Sequence, residues 1–428
     1  MALEQPEVRI QGQQRFGALW RDADFMKLWI GQTVSQFGSM ITGGALPLAA
    51  LLVLNATPAQ MGVLAALGNL PVLFVSLFAG VWVDHTRRRP ILIGADLGRA
   101  VLLGSIPLAA LAGILRIEQL YLVAMLAGIL AVLFEITYQS YLPSLVKSEQ
   151  LVDANSKLGI SDSIAEIGGN ALGGVLVQLV TAPLAIMLDA VSFVVSAASV
   201  WLIRKEEPAP VQRAKDAAVW RDIAEGVRAL WKDARLRALT GAAATASFFG
   251  GFFGALYTLF IIRELQLSPA MYGLLVGTGG IGALFGALAT TWFTRRLGVG
   301  RAMVAALFLA ALMQLLTVLA GGPPLMAIGM LLASQLVGDI AWGMHAISER
   351  SVRQVLTPTQ LLGRINASNR FVVGGIGALG LLVGGLCGEW LGVRATLWIS
   401  VTGMLLAGLW VFFSPVRQMR DIALIDEA

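Results

Sequence analysis

Pro58-Ala59-Gln60-Met61-Gly62 and Pro269-Ala270-Met271-Tyr272-Gly273 are two readings of one pattern, 211 residues apart. The same offset carries Asn155 onto Asn366, and Gly169, Gly173 and Gly174 onto Gly380, Gly384 and Gly385. One spacing that holds from the second hydrophobic block of each half to the fifth marks an internal duplication, with both copies running in the same direction.

Between these motifs the apolar residues come in long blocks. Of 428 residues, 57% are hydrophobic and 13% charged, against roughly 25% charged in a soluble domain. Runs of about 20 apolar residues are the length that crosses a bilayer. Twelve such spans are readable, at 27–54, 60–83, 91–115, 119–143, 158–180 and 184–203, then at 238–262, 270–293, 302–320, 325–348, 367–388 and 394–414. The expected fold is an all-α integral membrane protein with twelve transmembrane helices in two six-helix halves. Residues 1–203 form the first half, 204–237 a linker and 238–428 the second half.

The linker begins Pro-rich, and its second part places Trp220, Ile223, Val227, Leu230 and Trp231 on one helical face, the pattern of an interfacial helix. Lys and Arg concentrate at both termini, in the linker and at alternate loops, with only Arg116, Arg263 and Arg394 on the other side. By the positive-inside rule both termini are cytoplasmic. The polar first 24 residues contain no apolar core of a signal peptide. A single cysteine, Cys387, excludes disulfides and thiolate metal sites, and a net charge of +5 gives no nucleic-acid signal. Gly277-Thr278-Gly279-Gly280-Ile281-Gly282 fits a dinucleotide-binding spacing but lies inside an apolar helix, with Arg301 where an acid would stand. Close helix packing through small residues is the expected use.

The basic stretch Gly80-Val81-Trp82-Val83-Asp84-His85-Thr86-Arg87-Arg88-Arg89 resembles the loop 2–3 signature of the major facilitator superfamily. That signature has a Gly, an Asp four residues on, and then basic residues; His85 stands at its usual Arg and Arg87 at its usual Gly. The Arg87 form is similar to the drug and siderophore exporter branch, which includes the enterobactin exporter and macrolide efflux proteins. DFMKLWIGQTVSQFG at 24–38, EGVRALWKDARLRAL at 225–239 and GRINASNR at 363–370 resemble the same branch. GGNALGG at 168–174 is similar to the antiporter motif of the family, with Asn170 in place of its Pro. The resemblance implies the major facilitator fold and export by antiport. A loop of Asp84 with Arg87 and Arg88 can latch the halves by charge-assisted hydrogen bonds when the inside is closed. The second-half counterpart carries Arg295 at the Asp position, so only the first copy supplies the acid.

Ionisable residues inside spans are costly and mark function. Asp96, Arg99, Glu135, Asp162, Glu166 and Asp189 in the first half correspond to Leu307, Ala310, Ala346, Val373, Gly377 and Ser400. The scaffold is repeated; the charges are not. Asp96 and Arg99 share a helical face and read either as a mutual ion pair or as gating partners of the loop. Glu135, with Tyr138 one turn on, is expected to be buried without a cation and to bind a proton or a cationic substrate. Asp162 and Glu166, one turn apart, repel, and one of them is a competing proton carrier. Asp339 is the second-half candidate, His345 reads as a packed histidine, and Gln32 and Gln36 are placed to line a central cavity. The expectation is a non-enzymatic, monomeric secondary transporter of the bacterial inner membrane, without cofactor or metal. It would export a small amphipathic molecule (a drug, a macrolide or a siderophore-like compound) against protons. A lysophospholipid flippase, a uniporter and a non-transporting receptor or scaffold are the alternatives.

Overall fold

The computed structural model describes residues 18–207, 219–358 and 361–420, with the side chains of 18, 77–81, 84 and 219–223 outside that description. The first half contains α1 (Ala23–Leu52), α2 (Pro58–Asp84), α3 (Arg88–Leu111), α4 (Ile117–Leu145), α5 (Leu151–Val180) and α6 (Ala182–Trp201). A shorter helix, α7 (Val219–Lys232), precedes the second half. That half contains α8 (Ala234–Leu259), α9 (Pro269–Leu297), α10 (Val299–Leu319), α11 (Pro324–Leu356), α12 (Leu362–Leu391) and α13 (Val393–Phe412). Among the described residues, twelve helices are long and apolar enough to cross a membrane, and α7 is not one of them.

Local chemistry sets the helix starts. Thr57 caps α2 with a full capping box to Gln60, Ser268 caps α9, Asp233 caps α8, and Pro58 and Pro269 occupy first-turn positions where no amide is needed. Several helices outrun their apolar spans. α5 starts at Leu151 and α11 runs to Leu356, because intrahelical hydrogen bonds do not stop where the apolar residues do. The polar last turns of α11 are held by an ion pair between Glu349 and Arg353, and Arg353 Nε donates to Asn366 on α12 at 3.2 Å.

The halves meet along two seams, α2 with α12 and α5 with α9. The repeated glycines explain them. A Cβ at Gly62 would fall 2.8 Å from Gly385 Cα, and one at Gly174 would fall 2.8 Å from Gly273 Cα. Both contacts are backbone on backbone, so only glycine fits. The two pairs are exchanged by the 211-residue offset. Beside them, the Ala59 amide donates to Glu389 Oε2 at 3.1 Å and the Ala270 amide donates to Gln178 Oε1 at 3.3 Å. These hydrogen bonds cap one half's helix with the other half's side chain, again in a 211-offset pair. All four contacts lie at the end of the bundle opposite the chain termini, and that end is closed.

α7 docks on the start of α12. Leu230 packs with Leu236 and Ile365, a Cβ at Gly226 would lie 2.6 Å from the Arg364 carbonyl, and Trp231 stays exposed.

Candidate functional site

A cavity of about 590 Å³ opens inside the second half, walled by α8, α10, α11, α12 and α13, with Asn69 reaching in from α2. α11 supplies most of its polar groups because Gln335, Asp339, Trp342, Ala346 and Glu349 recur every three or four residues on one face. Asp339 accepts from Gln335 Nε2 at 2.5 Å, and Gln335 Oε1 accepts from Tyr257 Oη at 3.1 Å. Tyr257 in turn stacks on Phe253 at 4.7 Å between centroids. Asp339 forms no ion pair among the described residues. His345, buried beside Trp342, and Gln314 each present a buried polar atom, Nδ1 and Oε1, without a hydrogen-bond partner among the described residues. Among the described residues no Lys or Arg lines the cavity. A neighbouring opening of about 580 Å³ shares Asn69, Val373 and Gly374 with it and carries Arg350, Arg353 and Arg370 toward the termini end.

The glycines at 277–282 pack helices, as the apolar flanks of that stretch suggest. Cβ atoms at Gly279 and Gly282 would fall 2.7 Å from Asp339 Oδ2 and 2.9 Å from Asp339 Cβ, while one at Gly280 would fall 3.6 Å from Glu166 Cδ. Glu166 on α5 and Asp339 on α11 therefore flank the same turn of α9, one from each half.

The remaining first-half candidates form a second group across α1, α4 and α5. Gln36 donates to Asp162 at 3.1 Å, and Asp162 lies within electrostatic reach of Glu135. Glu135 departs from expectation. It is exposed rather than buried, and Gln139 Nε2 donates to it at 2.6 Å. It stands four residues from Gln139 on the open side of α4, where counting residues from the helix end cannot distinguish an inward face from an outward one. Tyr138 is buried and stacked on Phe134 at 6.0 Å, and Gln32 is buried; among the described residues neither the Tyr138 hydroxyl nor Gln32 Oε1 has a hydrogen-bond partner.

In the basic loop, the Asp84 side chain lies outside the described residues. Arg87 is exposed, the Arg88 amide donates to Glu207 Oε1 at 2.6 Å, and Arg89 Nε donates to the Val200 carbonyl at 3.1 Å. These partners belong to the first half and to the start of the linker. Glu207 places a carboxylate on the α3 N-terminus, where the helix dipole favours it. Sequence reasoning missed it because nothing local links residues 88 and 207. Of the two arrangements left open for Asp96 and Arg99, the mutual ion pair is the one formed.

A family model described as the Major Facilitator Superfamily matches residues 28–380 and, in a second placement, 241–427. The uncharacterized MFS-type transporter YfiS of Bacillus subtilis is 24% identical over 397 residues, covering 90% of this chain and 91% of YfiS. The multidrug efflux pump Tap of Mycolicibacterium fortuitum is 27% identical over 378 residues, covering 86% of this chain and 90% of Tap. A bacterial homologue of the iron transporter ferroportin, in its inward-facing state, superposes with a TM-score of 0.70 at 20% identity, over 91% of this chain and 98% of that one. The twelve spans, the duplicated halves and a family match over most of the length lead to one conclusion: this chain belongs to the Major Facilitator Superfamily.

Proposed function

We propose that this protein exports a small amphipathic molecule across the inner membrane of a bacterium by alternating access, in exchange for protons. The observation that carries this reading is the second-half cavity. It has apolar and aromatic walls, a carboxylate with no cation beside it and two buried polar atoms without partners among the described residues, and room for a drug-sized molecule, since such sites run to about 300–1,000 Å³. A molecule with an apolar body and hydrogen-bond donors matches those walls. The likeness to Tap, whose name is multidrug efflux pump, supports export over uptake. With the termini in the cytoplasm, the closed end faces outward and the arginine-lined opening faces the cytoplasm, where a substrate for export enters. Rocking the halves about the glycine seams would exchange the two ends.

The test uses purified protein in proteoliposomes with ethidium as the probe and an imposed pH gradient. Gradient-driven transport that Asp339→Asn abolishes, with the variant's elution profile in detergent unchanged, supports the reading. Transport indifferent to the pH gradient removes the proton from it. A cysteine at Gln212, outside the described residues, should label only from the cytoplasmic face; labelling from outside would invert the orientation and with it the direction.

A further inference from the structure

Away from the cavity, three ionisable side chains meet where α3, α4 and α6 join. Asp96 is fully enclosed, Asp189 is 1% exposed and Arg99 is 8% exposed. Arg99 pairs with Asp96, and its guanidinium is sandwiched between the rings of Phe134, 4.7 Å from the centroid, and Phe193, 4.0 Å. Asp189 lies within electrostatic reach of both Arg99 and Asp96, and Ser192 Oγ donates to it at 3.0 Å. From α4 the only charge facing the centre is exposed Glu135, which also acts on Arg99. α1 closes the remaining side through Gly38, where a Cβ would fall 3.0 Å from Asp189 Cα. Its only charges, Asp24 and Lys27, lie in its first two turns, away from Gly38 at mid-helix.

The charges do not balance. Two enclosed carboxylates stand near one guanidinium, which forms its ion pair with Asp96, and Glu135 adds no cation. An uncompensated charge inside a spanning bundle is expensive. Asp96 Oδ2 is buried without a hydrogen bond of full geometry among the described residues, the Ser196 hydroxyl being the neutral donor beside Asp96. The fold itself does not require the charges. At the equivalent positions of the second half stand Leu307, packed in an apolar cluster, Ala310, which lines the cavity, and Ser400, which donates to the Phe249 carbonyl at 2.6 Å. The same scaffold position is thus filled without any ionisable group.

We infer that the Asp96–Arg99–Asp189 centre is a proton-binding site that holds one proton between its two carboxylates. The bound proton brings the sum of two carboxylates, one guanidinium and one proton to zero. The first half would then carry the coupling proton and the second half the substrate, in separate places. The link to transport rests on the function proposed above; the bound proton does not.

The experiment is infrared spectroscopy of the purified, lipid-reconstituted protein at neutral pH, following the carbonyl band of a protonated carboxylic acid. The wild type should show that band. Asp189→Asn and Asp96→Asn, each of which removes the surplus charge, should lose it, whereas Asp339→Asn should keep it. Asp189→Ser, which copies the residue at the equivalent second-half position, serves if the Asn variant does not accumulate. Sodium should not displace the band. A wild type without the band, or a band unchanged in both centre variants, overturns the inference. A centre that only holds the helices together would give no such band. If the band behaves as expected while ethidium transport ignores the pH gradient, the proton site stands and the coupling reading fails alone.

Discussion

Glu389 offers the sharpest test of how the closed end is held. Its carboxylate accepts from the Ala59 amide at 3.1 Å, at the N-terminus of α2, across the boundary between the halves. The bond exists only while that end is closed, so its free energy counts entirely toward the closed arrangement. A side-chain cap on a helix N-terminus is worth about 0.5–2 kcal/mol, and a carboxylate there gains about 0.3–1 kcal/mol from the dipole. Glu389 is exposed, so solvent screening holds the total near the low end, about 1 kcal/mol. Glu389→Ala should then shift the equilibrium between closed and open by about fivefold. Glu389→Gln keeps an oxygen acceptor and copies its partner Gln178, so it should lose only the charge contribution, about twofold. The assay is double electron–electron resonance between nitroxides at Ile114 and Leu325, exposed positions at the closed end of each half, with Cys387 replaced by Ser. Opening should appear as a longer-distance population that grows from wild type to Glu389→Gln to Glu389→Ala. Gln178→Ala, at the 211-offset position, should act in the same direction. A distance distribution unchanged by both alanine substitutions would refute the idea that crossed helix caps hold this end.

The same label pair tests the glycine seams. Gly174→Leu and Gly385→Leu each drive a side chain into backbone across the halves and should displace the closed population almost completely; a retained short distance would mean the seams yield. Gly300→Ala puts a methyl group against the Val416 carbonyl, where Gly300 itself donates to the Met419 carbonyl at 3.0 Å. It should cost about 1–3 kcal/mol as overpacking, read as a lowered Tm, and an unchanged Tm would show that the C-terminal turn moves aside. Asp233, ahead of α8 and outside the spans, has its carboxyl held below the ordinary value. Burial acts to raise it, but hydrogen bonds from the Arg235 side chain and from the Arg235 and Leu236 amides outweigh burial. A depressed carboxyl stabilises the fold above its unfolded value of about 4 and loses that contribution as pH falls through the folded value. Asp233→Ala should therefore cost about 1 kcal/mol of capping at neutral pH, read as a lowered Tm, and the gap to wild type should close in acid. A gap that persists in acid would assign the effect to something other than the charge.

Twelve spans, two related halves and the packing use of the 277–282 glycines were all legible in the residues, because bilayer thickness, the repeat offset and the lack of a Cβ act locally. Asp339 was legible as costly, and so were Glu166 and the Asp96–Arg99 spacing. Other features needed the assembled fold. The exposure of Glu135 depends on which way α4 is turned, and the cap on α3 depends on where the linker carries Glu207. Gln314 and His345 become binding candidates only once α10 and α11 enclose one cavity. The meeting of Asp189 with Asp96 and Arg99 depends on α6 packing against α3, although every one of those charges was visible from the start. A bilayer rewards apolar length without regard to neighbours, so the sequence by itself determined how many helices cross and how they repeat. Lateral packing is decided by which faces approach, and only the tertiary structure decided which charges share a site and which remain alone.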